Sequence, residues 1–195
     1  MKKILLTAAG LAAIIAITAI ASQAPVTDSK AADTTATAED PAKRGEYLVN
    51  TIGCDDCHTP KKMGAHGPEP DMEFRFAGHL ATQPIGPIDT SVLSKGWLLF
   101  GPSLTAAVGP WGVSYAANIS GDSTGIGAWT EEQFFRAMRE GKYKGLEGSR
   151  PMLPPMPWPN FAKLKDDDLR AIFLYLKASK PINNVVPAPK QLSAL

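Results

Sequence analysis

Cysteine and histidine are scarce in this chain of 195 residues, which contains two cysteines and three histidines. A structural zinc site needs about four nitrogen or sulfur ligands. Beyond Cys54, Cys57 and His58 the sequence offers only His66 and His79, and it has no second C-x-x-C. Zinc binding is therefore an alternative that the sequence disfavours.

Net charge is also small, because the sequence contains 20 basic and 19 acidic residues, which gives a formal charge of +1. Removal of an N-terminal leader that contains Lys2 and Lys3 would lower this value by two, to −1. A balanced charge gives no electrostatic footprint for nucleic acid. It also gives no strong electrostatic preference for a protein partner.

The N-terminus is typical of a targeting segment. Lys2 and Lys3 precede an apolar run over residues 4–20, and Ala19-Ile20-Ala21 forms an A-x-A-like cleavage site before Ser22. This pattern predicts a signal peptide over residues 1–21. The run also lies near the lower limit for a membrane span, about 17 residues. An uncleaved anchor in the inner membrane is therefore the alternative, and in either case the remaining chain is expected in the periplasm.

Three further segments follow the leader. Residues 22–40 are rich in Ala, Thr, Asp and Ser and contain no aromatic residue. Such a segment buries too little apolar surface to offset its ordering entropy, so we expect a disordered linker. Residues 41–187 have the length of one domain, and residues 188–195 form a C-terminal tail.

The stretch from Gly53 to Pro60 contains the chain's most specific motif. Cys54, Cys57 and His58 form C-x-x-C-H, which is typical of a c-type haem attachment site. Two thiols three positions apart on one helical turn project from the same side of the backbone. Each can form a thioether to one vinyl group of a haem, and His58 can then serve as the proximal axial ligand. A redox dithiol is the alternative, but the β-α-β pattern expected around it is missing.

Helices are predicted on both sides of a long irregular region. The first is Pro41–Ile52, in which Gly45 indicates close contact with another helix. Its expected partner is Asp166–Ala178, which begins with three aspartates that suit the positive end of the helix dipole. Thr130 and Gln133 form a capping box that opens a further helix.

The irregular region between His58 and these later helices is dense in glycine and proline. A loop of this length in a compact domain is usually functional. We expect it to wrap a haem, with ordinary core packing as the equal alternative for each apolar residue. The candidate haem-facing residues are Trp97, Leu98, Leu99, Phe100, Trp111, Val113 and Tyr115.

Residues 44–187 resemble the domains of a class of bacterial monohaem c-type cytochromes. The likeness is carried by Gly45 to Leu48, Gly53 to Pro60, Asn118-Ile119, Thr124 to Thr130, Pro154 to Pro157, Asp168 to Ile172 and Tyr175-Leu176. Similar domains occur in cytochrome subunits of membrane-bound alcohol and sugar-acid dehydrogenases. The resemblance implies an all-α, cytochrome c-like fold around one covalent haem c, with crossing first and last helices. Those subunits carry three C-x-x-C-H motifs and this chain has one, which favours a single-haem carrier.

The proline-rich stretch from Arg150 to Pro159 is predicted to supply the distal ligand. Prolines on both sides fix φ around Met156, and a stiff loop loses little entropy when a weak methionine–iron bond forms. Met156 also matches the ligand position of the resembled family. Met152 is its competitor. Two histidines could ligate in place of methionine, but both are expected on loop surfaces, and His79 is the better reserve candidate. The less favoured candidates are Met63, Met72, Met138 and His66.

Together these features predict an exported electron carrier of a respiratory chain, not an enzyme. Its expected partners are a dehydrogenase or a terminal oxidase. One alternative is a haem-bearing subunit held permanently in a membrane dehydrogenase or oxidase complex. Another is a haem enzyme such as a peroxidase, which needs an open or displaceable distal site.

Overall fold

The computed structural model describes residues 40–195. The predicted leader over residues 1–21 and the linker as far as residue 39 lie outside the described residues. Asp40, which the sequence assigned to the linker, caps the first helix by accepting a hydrogen bond from the Ala42 amide at 2.9 Å. Between residues 40 and 195, no helix has both the length and the apolar character needed to span a bilayer.

Two crossing helices form the centre of the domain. Helix α1 spans Pro41–Thr51, and helix α5, numbered in chain order, spans Asp166–Lys177. Both predicted helices are confirmed, and each ends one residue earlier than expected. A Cβ added at Gly45 would collide with the backbone of Ala171 in α5. The predicted close contact at Gly45 is thus confirmed, because only a residue without a side chain lets the two backbones approach so closely.

Three further helices join this pair. Helix α2 is the single turn Cys54–His58, α3 spans Glu131–Glu140, and α4 spans Trp158–Phe161. The capping box of α3 is confirmed, with Thr130 and Gln133 each accepting a hydrogen bond from the other's amide. The core between these helices consists of Leu48, Val49, Phe76, Ile126, Phe134, Leu169, Ile172, Phe173 and Leu176.

The long region between α2 and α3 contains two small antiparallel sheets. One pairs β1 (Lys61–Gly64) with β2 (Gly67–Pro70), and the other has the order β3-β4-β5, with β3 at Leu99–Phe100. Strands β4 and β5 span Ala106–Gly109 and Gly112–Tyr115. The all-α prediction is therefore not confirmed, although the helical scaffold is present. Strands of two to four residues are too short to show a hydrophobic alternation in the sequence.

Short 3₁₀ turns and the chain's end complete the described structure. The turns are Met72–Phe74, Thr90–Lys95, Tyr143–Gly145 and Leu192–Ala194. Lys190 in the C-terminal tail exchanges two backbone hydrogen bonds with Val113 of β5, at 2.8 and 3.1 Å. A Cβ at Gly112 would collide with the Lys190 carbonyl, so the tail packs directly on the turn that begins β5.

Candidate haem site

The attachment motif lies on α2, whose preceding residue Gly53 has a φ of +77°. Glycine adopts this left-handed conformation without strain, and the sharp turn separates α1 from α2. Cys54 and Cys57 are half-buried, and neither is in a disulfide. Burial, and next the neighbouring Asp55, raises the pKa of Cys54 to about 12.

Burial and the nearby Asp56 also raise the pKa of Cys57. A redox dithiol needs a thiolate nucleophile, which a lowered pKa favours and a raised pKa opposes. The environment of both cysteines therefore argues against the dithiol alternative. Two unpaired thiols on one turn suit thioether formation to a haem.

The imidazole of His58 is oriented by the backbone that follows β5. Its Nδ1 lies 2.7 Å from the carbonyl oxygen of Ala117. Because a carbonyl only accepts hydrogen bonds, Nδ1 must carry the proton and Nε2 keeps its lone pair. Within the described residues Nε2 has no hydrogen-bond partner. Burial lowers the pKa of His58 against the opposing effect of this hydrogen bond, so the ring is neutral at pH 7 and able to bind a metal.

Arg75 ties α2 to the two crossing helices. Its guanidinium donates to both carboxylate oxygens of Asp55, which lies between the two cysteines. It also donates to Asn50 of α1 at 2.6 Å and to the Tyr175 hydroxyl of α5 at 3.1 Å. Burial would raise the pKa of Asp55, but hydrogen bonds from Arg75 and Thr59 outweigh that effect and lower it. Asp55 therefore stays ionised, and Arg75 links α2, through Asp55, to Asn50 of α1 and Tyr175 of α5.

Lys61 caps the C-terminal end of the attachment motif. Its ammonium donates to the carbonyl oxygens of Asp55, Asp56 and Thr59 at 2.7 to 3.0 Å. The last carbonyls of a helix have no partner within the helix, and a cation stabilises that negative end. Lys61 thus holds the C-terminal end of a five-residue helix that is too short to be stable alone.

The loop with the predicted distal ligand is anchored at two points. The Met152 amide donates to the Gly141 carbonyl at 2.7 Å, at the end of α3. The Ser114 hydroxyl of β5 donates to the Pro154 carbonyl at 2.6 Å. Met152 and Met156 are both half-buried, so burial does not separate the two candidates. The preference for Met156 stays a prediction.

The two reserve histidines occupy different environments. His66 is exposed at the β1-β2 turn, as expected, but His79 is 2% exposed, so its expected place on a loop surface is wrong. Its Nδ1 lies 2.8 Å from the Thr105 hydroxyl and its Nε2 lies 2.9 Å from the Gln83 carbonyl. Both ring nitrogens are thus engaged. Ligation of iron by His79 would require the loss of a buried hydrogen bond.

The apolar residues proposed to face the haem do not share one environment. Trp97 is 67% exposed, and Leu98 and Phe100 are each 48% exposed. Val113 is fully buried, and the Tyr115 ring packs against His79 with centroids 4.7 Å apart. Leu99 and Trp111 are half-buried. Their contact with haem stays a prediction, and an exposed tryptophan next to two other exposed apolar residues is compatible with it.

The donor set fits a covalently held haem better than it fits a metal ion bound by protein alone. In residues 40–195, no three His, Cys, Asp or Glu side chains form a group able to hold a metal. By contrast, α2 provides two thiols and a neutral imidazole with a fixed tautomer. A helical domain with this arrangement of two thiols and an imidazole is typical of haem-binding proteins.

Comparison with known families agrees with this class. Residues 42–180 match the family described as "Cytochrome c", and the chain belongs to that family. Membership of this family indicates covalently attached haem c and a domain of the electron-transfer type.

Curated relatives share part of their length with this chain. The cytochrome c subunit of alcohol dehydrogenase (quinone) from Gluconobacter oxydans (strain 621H) is 34% identical over 143 residues, which are 72% of this chain and 22% of that protein. The gluconate 2-dehydrogenase cytochrome c subunit from Pantoea cypripedii is 31% identical over 134 residues, 68% of this chain and 22% of that protein. The fructose dehydrogenase cytochrome subunit from Gluconobacter japonicus is 28% identical over 149 residues, 75% of this chain and 23% of that protein. The chain thus spans less than a quarter of each of these relatives.

The sequence-based prediction missed four residues that support the site. They are Arg75, Lys61, Ala117 and Ser114. Only Lys61 left a local signal, because a lysine shortly after a helix can bond its last carbonyls. The other three act across separations of 20 to 59 residues. No periodicity or motif in the sequence reports such contacts.

Proposed function

We propose that this protein is an exported monohaem cytochrome c that passes single electrons between respiratory or dehydrogenase partners. In this proposal Cys54 and Cys57 form the thioethers, His58 is the proximal iron ligand and Met156 is the distal ligand. The hydrogen bond between His58 Nδ1 and the Ala117 carbonyl, at 2.7 Å, is the observation that carries it. It leaves Nε2 as the one ring nitrogen free to bind a metal.

The bound haem supplies the one-electron chemistry, and the protein residues supply its rigidity. Arg75 and Lys61 hold the attachment turn from its side and its end. Ala117 keeps the imidazole in one tautomer and one orientation. Prolines restrict the backbone on each side of Met156. Residues held in this way move little when charge changes, which favours fast electron transfer.

A haem subunit of a larger dehydrogenase is the second candidate function. The relatives named above as alcohol and gluconate dehydrogenase subunits support it. Purification from the native membrane separates the two. Stable copurification of a large dehydrogenase supports the subunit, whereas recovery of the cytochrome alone supports the carrier.

Docking of a redox partner is proposed near Cys57 and residues 154–158, where a haem edge would reach the surface. Electron-transfer encounters tend to use small interfaces, below about 1,200 Å². Such an interface allows rapid release after each transfer. Its partner is a dehydrogenase or a terminal oxidase.

Absorption spectra of Met156→Ala and Met152→Ala test the ligand assignment. An oxidised haem with methionine ligation has a weak far-red band. Met156→Ala is expected to lose this band and Met152→Ala to keep it. Met152→Ala is the matched control, because the two methionines lie in one loop and are similarly buried. Loss in Met152→Ala alone would reassign the ligand. Rapid carbon monoxide binding by the reduced wild type would favour an open-site haem enzyme over the carrier.

Export is the remaining part of the proposal. It is supported by Lys2 and Lys3 before the apolar run, and by the completion of covalent haem attachment outside the cytoplasm in bacteria. N-terminal sequencing of the mature protein distinguishes the two forms. A start at Ser22 indicates a cleaved signal peptide, and a start at Met1 with membrane association indicates the anchor. A start at Met1 in the cytoplasmic fraction would contradict export.

A further inference from the structure

We propose that Ser114 is a positioning residue for the distal ligand, acting through the backbone of the loop that carries Met156. The inference rests on the proposed ligation by Met156. Ser114 lies on β5 and is 7% exposed, and its hydroxyl lies 2.6 Å from the Pro154 carbonyl, two residues before Met156. No motif or resemblance in the sequence pointed to this residue.

The direction of the hydrogen bonds around Ser114 is defined by chemistry. The Trp111 indole nitrogen lies 3.1 Å from the Ser114 oxygen and can only donate. Ser114 therefore accepts from Trp111 and gives its single proton to a carbonyl. Pro154 at 2.6 Å is a closer acceptor than Ala107 at 3.5 Å. Trp111, Ser114 and Pro154 thus form one directed chain of hydrogen bonds.

The same extended segment also reaches the proximal side. Three residues after Ser114, the Ala117 carbonyl accepts the hydrogen bond from His58. Residues 114–117 therefore contact both the proximal histidine and the loop of the distal methionine. The position of this segment is fixed by pairing of β5 with β4 and by the tail at Lys190. One short piece of backbone thereby sets the orientation of one ligand and the loop position of the other.

The part-buried hydrogen bond between Ser114 and Pro154 has a defined consequence for ligand exchange. A methionine–iron bond is weak, so external ligands bind the iron when the loop opens. Without Ser114 the Pro154 carbonyl loses its partner, and the closed loop is destabilised relative to the open one. Loss of one such bond corresponds to about a tenfold change in the opening equilibrium. External ligands should then bind about tenfold more tightly.

The test compares Ser114→Ala with Ser103→Ala in the haem-loaded protein. Ser103 is a matched control, because it is 3% exposed and its hydroxyl bonds Thr105 at 2.7 Å, with no hydrogen bond to the methionine loop among the described residues. Imidazole is titrated against each oxidised protein, and loss of the far-red band is followed. We expect Ser114→Ala to bind imidazole about tenfold more tightly than wild type, and Ser103→Ala to match wild type. Equal affinities in the two variants overturn the inference.

A second substitution covers the case in which Ser114→Ala does not mature. Ser114→Cys keeps a donor of similar size but weaker strength, so it should bind imidazole with intermediate affinity. Wild-type affinity in Ser114→Cys together with immature Ser114→Ala overturns the inference. Failure of the ligation proposal looks different, because the wild-type protein then lacks the far-red band before any substitution, or the band persists in Met156→Ala. Either result removes both ideas.

Discussion

Arg75 and Asp55 form a two-point ion pair in the middle of the attachment motif. Arg75 Nε lies 3.0 Å from Asp55 Oδ1, and Arg75 Nη2 lies 2.7 Å from Asp55 Oδ2. The side chains are 23% and 20% exposed, so water screens this pair less than it screens a surface pair. The pair connects the helix that carries both cysteines to the crossing of α1 and α5.

Replacement of Arg75 by lysine should destabilise the haem-loaded protein by about 2 kcal/mol. Lysine keeps the charge but has no planar fork, so the two-point contact and the bonds to Asn50 and Tyr175 are lost together. Denaturant unfolding measures the change. Lys62→Ala is the control, since Lys62 pairs with Asp71 at 3.6 Å and is 56% exposed, which predicts a loss below about 1 kcal/mol. Equal stabilities of the two variants would refute the role assigned to Arg75.

Gly45→Ala should lower the free energy of unfolding by about 2–3 kcal/mol. The added methyl group would meet the Ala171 carbonyl and the Tyr175 side chain, and the helices would have to move apart. Gly86→Ala is the matched control, because a Cβ there meets nothing within 4 Å. The idea that Gly45 sets the α1–α5 distance is rejected if both alanine variants unfold at the same denaturant concentration.

Stability should fall with acidification below about pH 6.5 because of His79. Burial lowers its pKa from the ordinary value of 6.5, so the folded protein holds this ring neutral. Well above pH 6.5 neither state binds the proton. Below it the unfolded chain binds a proton that the folded protein does not, so the free energy of unfolding decreases, by up to about 1.4 kcal/mol per pH unit.

The substitution His79→Gln removes this titration. Unfolding is measured from about pH 7 downward in wild type, His79→Gln and the exposed control His66→Gln. The pH dependence is expected to become shallower in His79→Gln, with the contribution of His58 remaining, and to stay as in wild type in His66→Gln. If His79→Gln and wild type lose stability in parallel, a different group is responsible.

Electron transfer to a purified partner should depend weakly on ionic strength. The formal charge of the whole chain is +1, so long-range steering contributes little to encounter. Stopped-flow rates are expected to change by less than about threefold between low and physiological salt. A steep fall with added salt would instead indicate a concentrated charged patch at the docking surface.

The predictable part of this fold is its local part. Residue type alone indicated the capping box at Thr130 and the aspartates that begin α5. It also indicated, through Gly45, that another helix approaches α1 closely. The attachment motif was recognisable for the same reason, since its chemistry is contained in five consecutive residues. The contact between α1 and α5 was predicted from Gly45, and the resemblance implied that the first and last helices cross.

The unpredicted part depends on distant contacts. Strands β3 to β5 have two to four residues each, and their pairing depends on turns and on the tail at Lys190. The hydrogen bonds of Arg75 and Ser114 join segments that only the folded chain brings together. His79 was expected on a loop surface, whereas Thr105 and Gln83 satisfy both of its ring nitrogens in a buried position.

The central claim is that one haem is covalently attached through Cys54 and Cys57. Its most direct test is extraction of the purified, matured protein with acidified organic solvent, followed by intact mass measurement of the polypeptide. We expect the pigment to stay with the protein and the measured mass to exceed that of the polypeptide by one haem. Release of the pigment, with a polypeptide of unmodified mass, would contradict it.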